Sequence, residues 1–278
     1  MILLGGPVFG DTSTPEAWVA AVASKGYRAA YCPLDASASA DAVRAYEEAA
    51  RAAGIAIAEV GAWSNPLSDD ATTATTALEH CKRQLDLADR IGARCCVNIA
   101  GSPGEQWDGH HPDNLTEPMF ERIVDCVRDI IDSVKPSRTH YSLETMPWMY
   151  PDSPESYARM ISAIDRDRFA VHLDPVNLIC SPQRYYATGA LIRECFRLFG
   201  DRIVSCHAKD ILLAQRLTTH LDEVRPGLGG LDYPTFLREL GELPADVPLM
   251  LEHLAEEAEY DAAAAHIRSV ADREGVRL

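Results

Sequence analysis

What most constrains the fold is a recurrence. Eight short apolar runs return at intervals of about 30 to 40 residues, each followed by a stretch with helical punctuation. The runs are Ile2 to Leu4, Ala29 to Cys32, Ile55 to Val60, Cys95 to Ala100, Tyr141 to Glu144, Ala170 to Asp174, Ile203 to His207 and Pro248 to Glu252. Their apolar character is nearly continuous rather than alternating, the pattern of strands covered on both faces in a parallel sheet. Between them, Thr14 precedes Pro15 at a first-turn position, and Ser39 and Ser153 open two further stretches. Helices are expected from about Thr14 to Gly26, Ser39 to Gly54, Thr76 to Ile91, Thr116 to Val134, Ser153 onward, Ala190 to Phe199 and Ala258 to Ala271.

Strand and helix in alternation predict βα units. Eight such units in 278 residues fit a closed (β/α)8 TIM barrel better than an open doubly wound sheet. The open alternative would carry a GxGxxG turn after its first strand, whereas this chain has Gly5-Gly6-Pro7-Val8-Phe9-Gly10, with a proline and no helix start. No P-loop, GxSxG elbow or HExxH is present. No Ser/Gly/Pro-rich linker divides the chain, so one domain over residues 1–278 is expected.

Composition narrows the partners. There are 42 acidic and 26 basic side chains, a formal net charge of −16, which argues against nucleic acid because phosphate binding needs a basic face. No apolar run approaches the roughly 20 residues that span a bilayer, so no membrane partner is expected. The start, Met1 to Gly6, carries no basic leader, and the eight cysteines show no CxxC spacing. A cytoplasmic protein with reduced thiols is the expectation.

In a barrel of this kind, chemistry sits at the C-terminal ends of the strands. Glu144, Asp174, His207 and Glu252 close the last four apolar runs at equivalent places. A carboxylate against an apolar core needs pairing, hydrogen bonds or a metal. Three converging with one imidazole would repel unless a divalent cation lies among them, and an oxygen-rich donor set suits Mn2+, Mg2+ or Co2+.

This ordered Glu, Asp, His, Glu set resembles the xylose isomerase-like TIM barrels, which include sugar phosphate isomerases and epimerases. Gly61-Ala62-Trp63-Ser64-Asn65-Pro66, His172-Leu173-Asp174-Pro175-Val176-Asn177, His207-Ala208-Lys209-Asp210 and Pro226 to Tyr233 are similar to the family's style. The resemblance implies that Glu144, Asp174, His207 and Glu252 bind one divalent ion, Mn2+ first, with Mg2+, Co2+ or Zn2+ as alternatives. It implies that Glu144 and Glu252 act as the acid/base pair on a keto-sugar or related polyhydroxylated carbonyl compound, transferring a proton through an enediolate. It also implies a homo-oligomer, dimer or tetramer. The family's DNA-repair branch has histidines at positions matched by Asn98 and Asn177 and further ligands at those matched by Leu221 and Glu223, so a three-metal centre is not implied.

Other residues complete the expected site. Trp63 and Trp148, on loops after the third and fifth strands, are placed to stack on a sugar face. Asn65 and Asn98 are candidate polar contacts. Asn177 stands where the ketose 3-epimerase branch has a substrate-contacting histidine. Strand alternation puts Lys209 beside His207, either binding a substrate oxygen or pairing with Asp174 or Glu252, and puts His172 one layer beneath Asp174. His253 is expected to point away from the barrel axis unless the strand has ended. The loop from Gly101 to Asn114 is expected to cover the fourth-strand side, with His110 and His111 as its solvent-exposed tip. The Pro226 to Gly230 turn offers backbone N–H groups to a phosphate, although a non-phosphorylated substrate is favoured. A lyase or dehydratase acting on a 3-oxo-sugar would use the same site, and a barrel that binds sugar without turnover is the alternative of another class.

Overall fold

Each of the eight apolar runs becomes a barrel strand. The computed structural model describes residues 1–278. The barrel strands are β1 (Ile2–Gly5), β2 (Ala29–Tyr31), β3 (Ala56–Gly61), β4 (Cys95–Asn98), β5 (His140–Glu144), β6 (Phe169–Leu173) and β7 (Ile203–Ala208), closed by β10 (Val247–Leu251). All neighbours pair in parallel, and β10 returns to β1 to close the ring. Between β7 and β10 the sequence reading foresaw no strands. There β8 (Asp210–Leu213) and β9 (Leu221–Val224) form an antiparallel ribbon outside the barrel.

The helices follow the punctuation. They are α1 (Pro15–Ser24), α2 (Ala40–Ala53), α3 (Ala71–Ile91), α4 (Glu117–Val134), α5 (Pro154–Ile164), α6 (Pro182–Tyr185), α7 (Thr188–Phe199), α8 (Tyr233–Glu242) and α9 (Glu257–Glu274). The Thr14, Ser39 and Ser153 hydroxyls accept from the Ala17, Ala42 and Ser156 amides, relieving first-turn N–H groups that have no helical partner. Helix α3 starts at Ala71, earlier than the expected Thr76, because Asp70 Oδ1 accepts from the Thr73 amide at 2.7 Å. Helix α8 was not foreseen; Asp232 caps it by accepting from the Thr235 amide.

One large apolar cluster fills the space between strands and helices. A second cluster of Leu3, Ala29, Ala58 and Met250, from four adjacent strands, lies apart from it and plugs the barrel interior. All eight cysteines are free, with Cys95, Cys96 and Cys206 buried in strands. No helix is long and apolar enough to cross a membrane.

Candidate metal centre

Strand ends β5, β6, β7 and β10 bring Glu144, Asp174, His207 and Glu252 together, with one donor atom from each lying within 4.8 Å of the others. The surroundings assign an orientation to each. Asp174 Oδ1 accepts from the Val176 amide at 2.9 Å, in the single 3-10 turn that follows β6, which leaves Oδ2 aimed into the cluster. Asn177 Nδ2 donates to Glu144 Oε1 at 3.1 Å and to the Thr145 carbonyl at 3.0 Å, tying Glu144 to the same turn. His207 Nδ1 lies 3.1 Å from Glu144 Oε1 and 2.8 Å from Glu252 Oε1.

Lys209, two residues beyond His207, is buried in the same place. Its Nζ is 2.8 Å from Asp174 Oδ2 and 2.5 Å from Glu252 Oε1, with Glu223 at 3.6 Å and Glu144 at 3.7 Å. Of the two roles expected for Lys209, pairing with Asp174 and Glu252 is the one this geometry contains. Ion-pair distance is not hydrogen-bond geometry here: Asp174 Oδ2 and Glu252 Oε1 are both buried without a hydrogen-bond partner. Buried carboxylate oxygens in that condition are costly. Three carboxylates and an imidazole, two of the oxygens held by ion-pair contact alone, are a donor set that fits one hard divalent cation.

The charge balance agrees. Burial lowers the His207 pKa, but Glu252, Glu144 and Glu59 outweigh it and hold the imidazole well above its ordinary value. Burial likewise works against the Lys209 ammonium, and its carboxylate neighbours overcome it. Glu144 and Glu252 are held below the usual carboxylate range, because His207 outweighs the burial that would raise them. Asp174 goes the other way, pushed up to about 6 by burial, with Glu144 and Glu252 adding to the rise against Lys209. One ammonium and one imidazolium still leave an excess of negative charge among Glu144, Asp174, Glu252 and the ionised Glu59.

Beneath this layer is a second one, which holds His172 as the sequence predicts and adds Glu59, which the sequence does not mark. Glu59, on β3, is 2 % exposed. Its Oε1 lies 2.8 Å from His172 Nε2 and accepts from the Ser205 hydroxyl at 2.5 Å, and its Oε2 is 3.4 Å from His207 Nε2. Burial raises its pKa, but the two imidazoles win and keep it ionised, well below the usual range. His207 therefore joins the layers, Nε2 toward Glu59 and Nδ1 toward the strand-end carboxylates. The signal available in the sequence was an acid inside the apolar run Ile55 to Val60.

Above the carboxylates opens a cavity of about 490 Å3, lined by Glu144, Trp63, Trp148, Asn177, Lys209 and Glu252 among the expected residues. Asp174 and His207 lie fully buried beneath it. Trp107 and Asp108 also line it, so the Gly101 to Asn114 loop reaches the cavity, while His110 stays exposed on the loop. Asn65 and Asn98 do not reach it. Asn65 Nδ2 donates to the Ser102 carbonyl, and its Oδ1 accepts from the Leu67 and Ser102 amides. Asn98 exchanges hydrogen bonds with the Ser64 backbone in both directions. Both amides are turned to brace loops rather than toward the cavity. His253 meets the exception stated for it: β10 ends at Leu251, the backbone turns to φ 57° at His253, and the residue lines the cavity 3.3 Å from Glu223. The Pro226 to Gly230 turn also departs from expectation. Its Gly227 and Gly229 amides donate to Asp210 Oδ2 at 2.9 and 3.0 Å, so an internal carboxylate takes the place of a phosphate.

Comparison with known proteins gives the family and the fold. A family model described as "Xylose isomerase-like TIM barrel" matches residues 19–270. No curated protein matches. Among solved structures, a probable 3-DHS dehydratase involved in petrobactin synthesis from Bacillus anthracis superposes with a TM-score of 0.71 at 15% identity, covering 98% of this chain and 100% of that one. A xylose isomerase-like TIM barrel protein from Mycobacterium smegmatis in complex with magnesium gives 0.68 at 16% identity, covering 95% and 90%. A D-psicose 3-epimerase with D-tagatose from Clostridium cellulolyticum H10 gives 0.65 at 16% identity, covering 93% and 91%. At these identities the likeness is one of fold.

Proposed function

We propose that this chain, which belongs to the xylose isomerase-like TIM barrel family, is a divalent-metal-dependent isomerase or epimerase of a keto-sugar or related polyhydroxylated carbonyl compound. The observation that carries the reading is the convergence of four donors, three of them carboxylates, within 4.8 Å of one another under an open cavity. Glu144, Asp174, His207 and Glu252 would hold the ion, with Mn2+ favoured by the donor set. When bound, it supplies positive charge beside the substrate's carbonyl and neighbouring hydroxyl oxygens.

A proton next to a carbonyl is weakly acidic, so a carboxylate removes it only where the charge developing on oxygen is countered. Glu144 and Glu252 both line the cavity and are both kept ionised. One takes the proton from the carbon beside the carbonyl, and the other returns a proton to the opposite face or to the neighbouring carbon of the enediolate. Asn177 fixes the Glu144 carboxylate through its 3.1 Å hydrogen bond, so that the base does not rotate away. Lys209 keeps its ammonium against Asp174 and Glu252 and adds a fixed positive charge at the cavity floor.

Elimination is the second reading, since it shares the proton abstraction and the Bacillus anthracis neighbour is titled a dehydratase. The test is incubation of the Mn2+-loaded protein in D2O with a panel of ketoses, 3-oxo-sugars and keto-acids. Deuterium entering the position next to the carbonyl of recovered sugar supports the isomerase or epimerase. Loss of water or of an aglycone supports elimination. No exchange and no loss across the panel contradicts the enzyme reading.

A further inference from the structure

The strand-end carboxylates occupy only the floor of the cavity. Its volume of about 490 Å3 is in the range of pockets that hold drug-sized ligands, and the wall above the floor is aromatic. Trp63, Trp107 and Trp148 all line it, and Trp63 and Trp148 keep 45 and 41 % of their surface exposed. Large apolar surface left in water at the rim of a cleft marks a binding surface.

This wall is held in shape. Trp148 Nε1 donates to the Asp108 carbonyl at 2.8 Å, and Asn114 Nδ2 donates to the Trp148 and Gly109 carbonyls, both at 3.1 Å. The Gly101 to Asn114 loop, which carries Trp107, is thereby tied to the loop after β5, which carries Trp148. On the opposite side, a Cβ at Gly61 would come within 2.3 Å of Trp63 Nε1, so the Trp63 indole folds back over β3 only because residue 61 is glycine.

The electrostatics exclude an anionic ligand from the same wall. Asp108 and Glu223 add carboxylates to those of Glu144 and Glu252, and no arginine lines the cavity. The Lys209 ammonium is engaged by Asp174 and Glu252, and His253 lies against Glu223. The backbone N–H groups of the Pro226 to Gly230 turn already serve Asp210. A phosphate or carboxylate on the substrate would find no free cation or amide nest, only like charge.

We infer that the substrate is an uncharged keto-sugar bearing a second uncharged ring, with the sugar over the floor carboxylates and the second ring stacked on the Trp63, Trp107 and Trp148 wall. This rests on the sugar reading above and adds its substrate class. Stacking of rings in such a wall is worth about tenfold in affinity. Isothermal titration calorimetry of the Mn2+-loaded protein with a phenyl 3-ketoglucoside, 3-ketoglucose and fructose 6-phosphate tests it. The expected result is that the phenyl compound binds about tenfold more tightly than the parent sugar and that the phosphate binds most weakly. In Trp107→Ala and in Gly61→Ala the ratio of the first two affinities falls toward one. Equal affinity for the first two, tightest binding of the phosphate, or a ratio unchanged in both variants overturns the inference. The readout needs no turnover, so the two readings fail separately. A preserved affinity ratio without proton exchange removes the reaction and leaves the aromatic subsite standing. Proton exchange with a ratio of one removes the subsite alone.

Discussion

Two charged layers lie one above the other inside this barrel, joined by a single imidazole, and they resolve the same physical problem differently. In the lower layer, one carboxylate, Glu59, meets Ser205, His172 and His207, and each of its oxygens has a partner. Only His172 Nδ1 is left without one, a ring nitrogen rather than a carboxylate oxygen. In the upper layer, three carboxylates share His207 and Lys209, and Asp174 Oδ2 and Glu252 Oε1 have ion-pair neighbours but no hydrogen-bond partner. The lower layer is closed to the cavity, and the upper layer forms its floor. A saturated network positions, whereas an unsaturated one beside a cavity binds. The difference teaches that burial of charge alone does not mark a site; the unsatisfied donor atoms do.

The largest effect is expected where the upper layer is broken chemically. Glu144→Gln and Glu252→Gln should each reduce proton exchange by about 10^2 to 10^4, the usual weight of a general acid or base, with little change in the unfolding midpoint. Exchange retained in either variant would remove that residue from the pair. Breaking the lower layer should act on stability instead. Glu59→Leu strands the Ser205 hydroxyl and both imidazoles, and should cost about 3–5 kcal/mol in urea unfolding. A cost no larger than that of Glu144→Leu would erase the distinction between the layers.

The join between them gives a finer test. Glu59 faces His207 Nε2, which fixes the ring so that Nδ1 points up. Glu59→Gln should weaken Mn2+ affinity by about 10- to 100-fold while the protein stays folded, as loss of a carboxylate behind a ligand histidine does elsewhere. Unchanged affinity would make the lower layer purely structural.

The smallest effect, in pH dependence, has opposite signs in the two layers. Glu59 is depressed, so its stabilisation is present above the unfolded carboxylate value near pH 4.3 and is lost as pH falls through its folded value. Asp174 is raised to about 6, so its contribution is present below about pH 3.9 and is lost as pH rises through 6. Denaturant unfolding of chelator-treated protein should therefore show Glu59→Gln growing more destabilising from pH 3 to 5. Asp174→Asn should grow less destabilising from pH 4 to 7. The same sign in both would contradict the contrast.

Much of this was legible in the sequence, for reasons that also set its limits. The eight strands stand out because parallel strands buried on both faces need unbroken apolar runs, and the ligand set stands out because each of the last four runs stops at a carboxylate or an imidazole. Glu59 escaped because it is one acid within an apolar run, and its partners His172 and His207 lie more than a hundred residues away. Asn65 and Asn98 looked like substrate contacts because polar loop residues near strand ends resemble ligands when the backbone groups they serve are unseen. The turn at Gly227 read as an anion cradle for the same reason: its anion is Asp210, from the chain itself.

The central claim is that the upper layer is a one-ion site, and Mn2+ titration of chelator-treated protein, followed by electron paramagnetic resonance of the free ion, tests it most directly. The account predicts one Mn2+ bound per chain in the wild type and an affinity at least about 100-fold weaker in Asp174→Asn. No bound Mn2+ in the wild type, or undiminished binding in Asp174→Asn, would contradict it.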